Sequence, residues 1–238
     1  MTQLGAARAL PPRPIVILGT GGNCVDILDT IDEINAHACE EETPSYDCLG
    51  FLDDNREAWG REIHGVRVLG PLAMACDLPP DVRFVNGIGS ERNFRRKDAI
   101  IATTGLGRDR FETIVHPTAS VSRMSVLGAG VVVFQNATIT SNVRVGDHVV
   151  VLPNAVISHD AAVGDYSILA AGVSLCGGVT VGRCCYLGTN ASVRPNVTIG
   201  EGAMVGMGSV VLRDVAPTTV VVGSPARFLR EAAAVASS

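Results

Sequence analysis

"VLGAGVVVFQNATITSNVRVGDHVVVLPNAVISHDAAVGDYSILAAGVSL", residues 126–175, repeats itself every six residues. Counting from Val121 to Val211 in steps of six, all sixteen positions are Val, Ile or Leu. At 47% hydrophobic composition, one register gives such a run by chance with a probability of roughly 10⁻⁵. Two residues before each step the side chain is usually small, as at Ala119, Ser125, Ala137, Ala155, Ala161, Ser167, Ala191, Ala203 and Ser209. Glycine often follows the aliphatic residue, as at Gly128, Gly146, Gly164, Gly182 and Gly200. Six is a multiple of the strand period of two and fits neither 3.6 nor a heptad. The pattern predicts a parallel β-helix whose triangular coils each use three hexapeptides, so that 121–211 makes about five coils.

The composition agrees with a narrow interior. Only 4% of residues are aromatic, against 26 glycines. The formal charge of −5 argues against a broad surface for nucleic acid. Seven cysteines form no C-x-x-C pattern and no secretory signal is evident, which predicts reduced thiols and a cytoplasmic protein. No apolar run approaches the length of a membrane span. The Pro-rich opening, residues 1–12, is expected to be a disordered tail, and residues 231–238 to fray.

Ahead of the repeats, "RPIVILGTGGNCVDILDTIDEI" reads as a buried strand, a Gly-rich turn and a helix. "YDCLGFLDDN" reads as a second strand ending in Asp53 and Asp54, and "VRFVNGIGSERNFRRKDAIIATT" as a third strand, a turn and a helix. Together they predict a small Rossmann-like parallel α/β sheet over 13–110, with the β-helix over 111–230. Ligands of such sheets sit at the carboxyl ends of the strands, here Gly19–Asn23, Asp53–Asp54 and Gly87–Ser90. Three readings compete there. Gly19, Gly21 and Cys24 hold the glycine places of a dinucleotide fingerprint, but Cys24 breaks the pattern. The second reading is a nucleotide sugar, with phosphate on the helix N-terminus and an aspartate on ribose or base. The acids also serve as simple turn caps.

Within the β-helix, His159 and Asp160 form the only adjacent His–Asp pair. A histidine titrating near neutrality suits removal of a proton from an attacking amine or hydroxyl. A carboxylate on its other nitrogen fixes the tautomer. His159 stands two residues after the inward Ile157 and so faces outward; Asp160, if it continued a strand, would face the other way. His148 is expected to be a surface turn residue. His116, His148 and His159 are separated by 32 and 11 residues, not by whole coils, so no metal is expected.

The order "ILGTGGN", "GFLDDN", "IGSERNFRRKDAI", "IVHPTASVS", hexapeptides and "VGSPARFL" resembles the sugar-nucleotide acyltransferases of the hexapeptide-repeat superfamily, typified by bacillosamine and perosamine N-acetyltransferases and sialic-acid O-acetyltransferases. The resemblance covers about 13–230 and implies a left-handed β-helix, a homotrimer with sites between subunits, and acetyl-CoA as co-substrate. It implies acetylation of a nucleoside-diphosphate-linked 4-amino-4,6-dideoxy sugar, with O-acetylation of a sialic-acid-type sugar, or a non-catalytic sugar-nucleotide-binding protein, as the alternatives. Carried over by position, it makes His159 the base and Asp160 its orienter. Gly177, Gly178, Asn190 and Arg194 fall to the acyl donor. Gly21, Gly22, Asn23, Asp53 and Asp54 fall to the sugar nucleotide. Ile168 stands where the family commonly has a second histidine near the donor, and Leu152 where it often has an asparagine. Arg183, Arg227 and Arg230 are further candidates for CoA phosphates.

Overall fold

A computed structural model describes residues 11–41 and 45–232, with 39–41 as backbone alone. Residues 1–10 of the expected tail and 233–238 of the expected frayed end lie outside the described residues.

The first unit is built around β1 (Arg13–Leu18), α1 (Gly22–Glu41), β2 (Tyr46–Leu52), β3 (Glu62–Ile63), β4 (Val66–Gly70), β5 (Arg83–Asn86) and α2 (Lys97–Ala102). Its sheet runs β3-β4-β2-β1-β5. β1, β2, β4 and β5 are parallel, but β3 pairs antiparallel with β4, so the sheet is mixed where a parallel one was expected. The cause is a two-residue turn, His64–Gly65, with both φ angles positive (48° and 80°), the backbone that closes tight hairpins. Ile15, Val16, Ile17 and Leu18 are wholly buried, as expected of a central parallel strand covered on both faces. Phe111 still pairs with Phe84 of β5 before the chain enters the second unit at Ile114–Val115.

The second unit is a left-handed parallel β-helix. Each strand pairs with the one eighteen residues on, Thr138 with Val156 and Ile157 with Leu175 for example. Three faces result. The front face carries Ile114–Val115, Val132–Val133, Val150–Val151, Ile168–Leu169, Tyr186–Leu187 and Met204–Val205. The second runs from Ser120–Val121 through Val156–Ile157 to Val210–Val211, and the third from Val126–Leu127 through Ala162–Val163 to Thr198–Ile199. From Val133 to Val211 every sixth residue is at most 4% exposed. The small residues of the repeat, among them Ala137, Ala155, Ser167 and Ala191, are buried beside them. Thr219–Val222 extends the front face, and Arg227–Glu231 folds back antiparallel on it. The chain is therefore a strand through Glu231, one residue into the stretch expected to fray.

Three residues after each inward aliphatic from Leu127 to Val205 the backbone turns through the left-handed region, as at Asn136, Asn142, Asn154, Asp160, Asn190 and Asn196. Asn, Asp and Gly tolerate that conformation best. The exceptions are His148, Tyr166 and Cys184 (φ 56°, 62° and 50°), and they stack along one corner, between the third and front faces. There the first unit abuts them. His148 stacks on Tyr166 at 5.1 Å and meets Phe111 edge-on at 4.4 Å. Lys97, the sole lysine and wholly buried, donates from Nζ to the carbonyl of His148. The front face itself is covered: Val132, Val150 and Ile168, which point out of the prism, join Ile15, Ile17, Cys24 and Ile27 in one buried cluster.

His148 is thus 4% exposed, a buried residue and not the surface one its turn position predicted. Burial, and then the Lys97 charge, bring its pKa down to about 4, while burial brings Lys97 down to about 7. The unfolded imidazole titrates near 6.5. Between about 4 and 6.5 the unfolded chain binds a proton that the folded chain refuses. The stabilisation is therefore complete above about pH 6.5 and is lost as the pH falls towards 4. His148 is expected to contribute a slope of about 1.4 kcal/mol per pH unit across that window. His148→Asn, which keeps a residue suited to the turn, should remove that slope. Urea midpoints from about pH 4 to about pH 7 check it.

Candidate active site

Two separate places carry the chemistry. The first is the mouth of the α/β unit. β1 ends at Leu18, and Gly19 turns the chain at φ +100°. A Cβ at Gly19 would lie 2.7 Å from Ile88 and 2.8 Å from Cys24 Sγ, so the turn admits only glycine. Cys24 fills the space beneath Gly19 and Gly87 and donates to the Leu18 carbonyl at 3.5 Å. The sulfur takes the place that a third fingerprint glycine would leave empty. Burial pushes this thiol up to about 12, which keeps it protonated and a packing group.

Gly21 and Gly22 have no atom within 4 Å of an added Cβ. Packing does not demand glycine there; the bare backbone faces a cavity of about 370 Å³ lined by Gly19–Cys24, Asp53, Gly87–Ser90 and Asn93. That volume lies within the usual range of about 300–1,000 Å³ for small-ligand sites. α1 opens onto it with no acidic residue in its first turn, leaving the orphan N–H groups and the positive end of the helix to an anion. Asn23 Nδ2 donates to Gly89 O at 3.3 Å, and Thr20 Oγ1 to Asp53 Oδ2 at 2.7 Å. Asp54 is absent from the lining. Its carboxylate accepts from the Leu72 N–H at 3.0 Å, so it caps the 3₁₀ turn Leu72–Asp77. Adjacent residues of extended chain point opposite ways, and Asp53 is the one that faces the cavity.

The second place is the corner between the second and third faces. His159 Nδ1 and Asp160 Oδ2 are 2.8 Å apart. They meet because Asp160 is a left-handed turn residue (φ 60°) and not part of a strand. The hydrogen bond from His159, then that from Asn142, hold the Asp160 carboxyl below its ordinary range. As a carboxylate it only accepts, so Nδ1 carries the proton and Nε2 offers its lone pair. Nε2 makes no hydrogen bond among the described residues. Gly177, one coil on, underlies the ring: a Cβ there would come 2.6 Å from His159 Cε1 and 2.7 Å from Nε2. Gly178 donates its N–H to His159 O at 2.9 Å, and Arg194, exposed, follows on the same corner.

The remaining expected donor residues stand elsewhere. Asn190 lies on the corner between the front and second faces, its Oδ1 against Gly172. Ile168 is 1% exposed on the front face, its Cδ1 against Gly89, so it packs under the cavity loop and is closed to a donor at the His159 corner. Arg183 is paired with Asp98 at 3.0 Å and Glu201 at 3.5 Å. The described residues hold no cluster of three or more metal-ligating side chains, and none of their helices is long and apolar enough to cross a membrane.

Two stretches of the β-helix match a family of hexapeptide-repeat transferases. The family described as bacterial transferase hexapeptide (six repeats) matches residues 142–177 and 178–213. Among individual proteins, UDP-N-acetylbacillosamine N-acetyltransferase of Bacillus subtilis is 43% identical over 56 residues, a match spanning 24% of this chain and 24% of that protein. Among solved structures, a histidine-substituted variant of perosamine N-acetyltransferase from Caulobacter crescentus, in complex with CoA and GDP-perosamine, is 28% identical with a TM-score of 0.77, covering 95% of this chain and 100% of its own. The acetyltransferase domain of PglB from Neisseria gonorrhoeae is 26% identical with a TM-score of 0.75, covering 91% and 100%.

Gly177→Ala tests the packing of the imidazole. The clash falls on the far end of an exposed side chain, so the melting temperature should stay within about 2 °C. The ring must move by about an ångström, and turnover should drop by about tenfold or more.

Proposed function

We propose that the protein is an acetyl-CoA-dependent N-acetyltransferase acting on the amino group of a nucleoside-diphosphate-linked 4-amino-4,6-dideoxy sugar, working in the cytoplasm as a homotrimer. The observation that carries this reading is the His159–Asp160 pair, 2.8 Å apart, with Nε2 unpartnered over the bare Gly177. In this reading 13–110 holds the sugar nucleotide, its diphosphate on the first turn of α1 beside Gly21, Gly22 and Asn23, with Asp53 accepting from ribose or base. The thioester lies along the corner of 111–230 where Gly177 and Gly178 leave room, and Arg194 meets a CoA phosphate.

The sugar amine attacks the thioester carbonyl, forming the C–N bond. His159 Nε2 takes the proton that the nitrogen must lose. The Gly177 N–H, which has no partner among the described residues, stabilises the oxyanion. Collapse breaks the C–S bond, and the proton passes from His159 to the departing CoA thiolate. Asp160 holds the imidazole in the required tautomer and supports its positive charge.

The two places do not meet within one chain. The α/β unit covers the front face, through Ile168 against Gly89 and the shared buried cluster. His159 stands on the corner opposite that face, its side chain 66% exposed. A neighbouring copy that brings its cavity to this corner completes the site.

Incubation with acetyl-CoA and amino-sugar nucleotides should release free CoA thiol. His159→Asn should lower that rate by about two decades or more with the β-helix intact by circular dichroism. Wild-type turnover in the variant contradicts the assignment of the base. Release with hydroxyl sugars alone identifies an O-acetyltransferase, and binding without release a non-catalytic protein.

A further inference from the structure

The Asp160 carboxylate is shared between two partners. Oδ2 lies 2.8 Å from His159 Nδ1, and Oδ1 accepts from Asn142 Nδ2 at 3.1 Å. Asn142 stands one whole coil before Asp160, in the same left-handed turn (φ 59° against 60°) on the same corner. The two turns are joined through the backbone as well, Asp160 N–H donating to Ser141 O at 3.1 Å.

Both members of the His159–Asp160 pair are more than half exposed, at 66% and 60% of their side chains. Two solvated side chains on a turn rotate freely unless something holds them. The described structure provides one such hold, the amide of Asn142. It is a donor, as a carboxylate needs, and it is neutral, so it leaves the charge beside the imidazole at one.

We propose that Asn142 is a positioning residue for the reaction: by pinning Oδ1 of Asp160 it turns Oδ2 towards His159 Nδ1 and so sets the tautomer and direction of the base. This rests on reading His159 as that base. Asn142 acts from a distance of one coil and touches neither substrate.

Glycine suits the left-handed turn, so Asn142→Gly removes the amide and keeps the backbone. It should lower kcat by about tenfold while KM for both substrates stays within about twofold. On an Asp160→Gly background, Asn142→Gly should have no further effect, because its route to the base is already cut. Asn142→Asp places a second carboxylate beside the pair, and the acid limb of the kcat/KM profile should then move to higher pH if position 142 lies within reach of the imidazole charge. Wild-type kcat in Asn142→Gly, an equal loss on the Asp160→Gly background, or an Asp160→Gly variant with wild-type kcat each overturn the proposal. If His159→Asn turns over normally, the base itself is wrong; if that variant is dead and Asn142→Gly is not, only the role of Asn142 falls.

Discussion

Everything in this molecule depends on one register: strands that pair in parallel with the strand eighteen residues on. It stacks each Val, Ile or Leu of the repeat on another, from Val133 to Val211, in an interior too narrow for rings. Fully burying such a side chain is worth about 1.5–3 kcal/mol relative to exposure. The same register puts the residue three after each of them, up to Gly208, in a left-handed turn. A one-residue slip would turn the aliphatic set outward, so the pattern admits no neighbouring solution.

The candidate catalytic pair is a product of that turn geometry. Neighbours in a strand would diverge, yet Asp160 at φ 60° meets His159 at 2.8 Å. Stacking then places a residue from the coil before, Asn142, and one from the coil after, Gly177, against the same two side chains. A loop of ordinary length would need many specific contacts to reach this arrangement. Here the repeat supplies it, and the sequence has only to place the right residue types at 142, 159, 160 and 177.

The β-helix was legible because its period is strict, and the candidate His159–Asp160 pair because two polar residues interrupt an apolar run. The hairpin β3–β4 was not, since each strand is short and its marker is the dipeptide His64–Gly65. Asp53 and Asp54 look alike in sequence; only the path of the chain sends one to the cavity and the other to Leu72. Family position placed Ile168 and Asn190 beside the donor, whereas counting in eighteens puts them on other sides of the prism from His159. Where the turn positions hold His148, Tyr166 and Cys184 in place of Asn, Asp or Gly, something must offset the strain, and those three mark the corner on which the first unit docks. Lys97, alone of its kind, belongs to the same joint.

The central claim is that the cavity of one copy works with the base of another. Two inactive variants test it most directly: His159→Asn, which keeps the cavity, and Gly21→Trp, which fills it. Co-refolded in equal amounts, a closed ring of head-to-tail interfaces should regain about a quarter of wild-type turnover, the share of interfaces that join an intact cavity to an intact base. Mixed assemblies that remain as inactive as either parent would contradict the account.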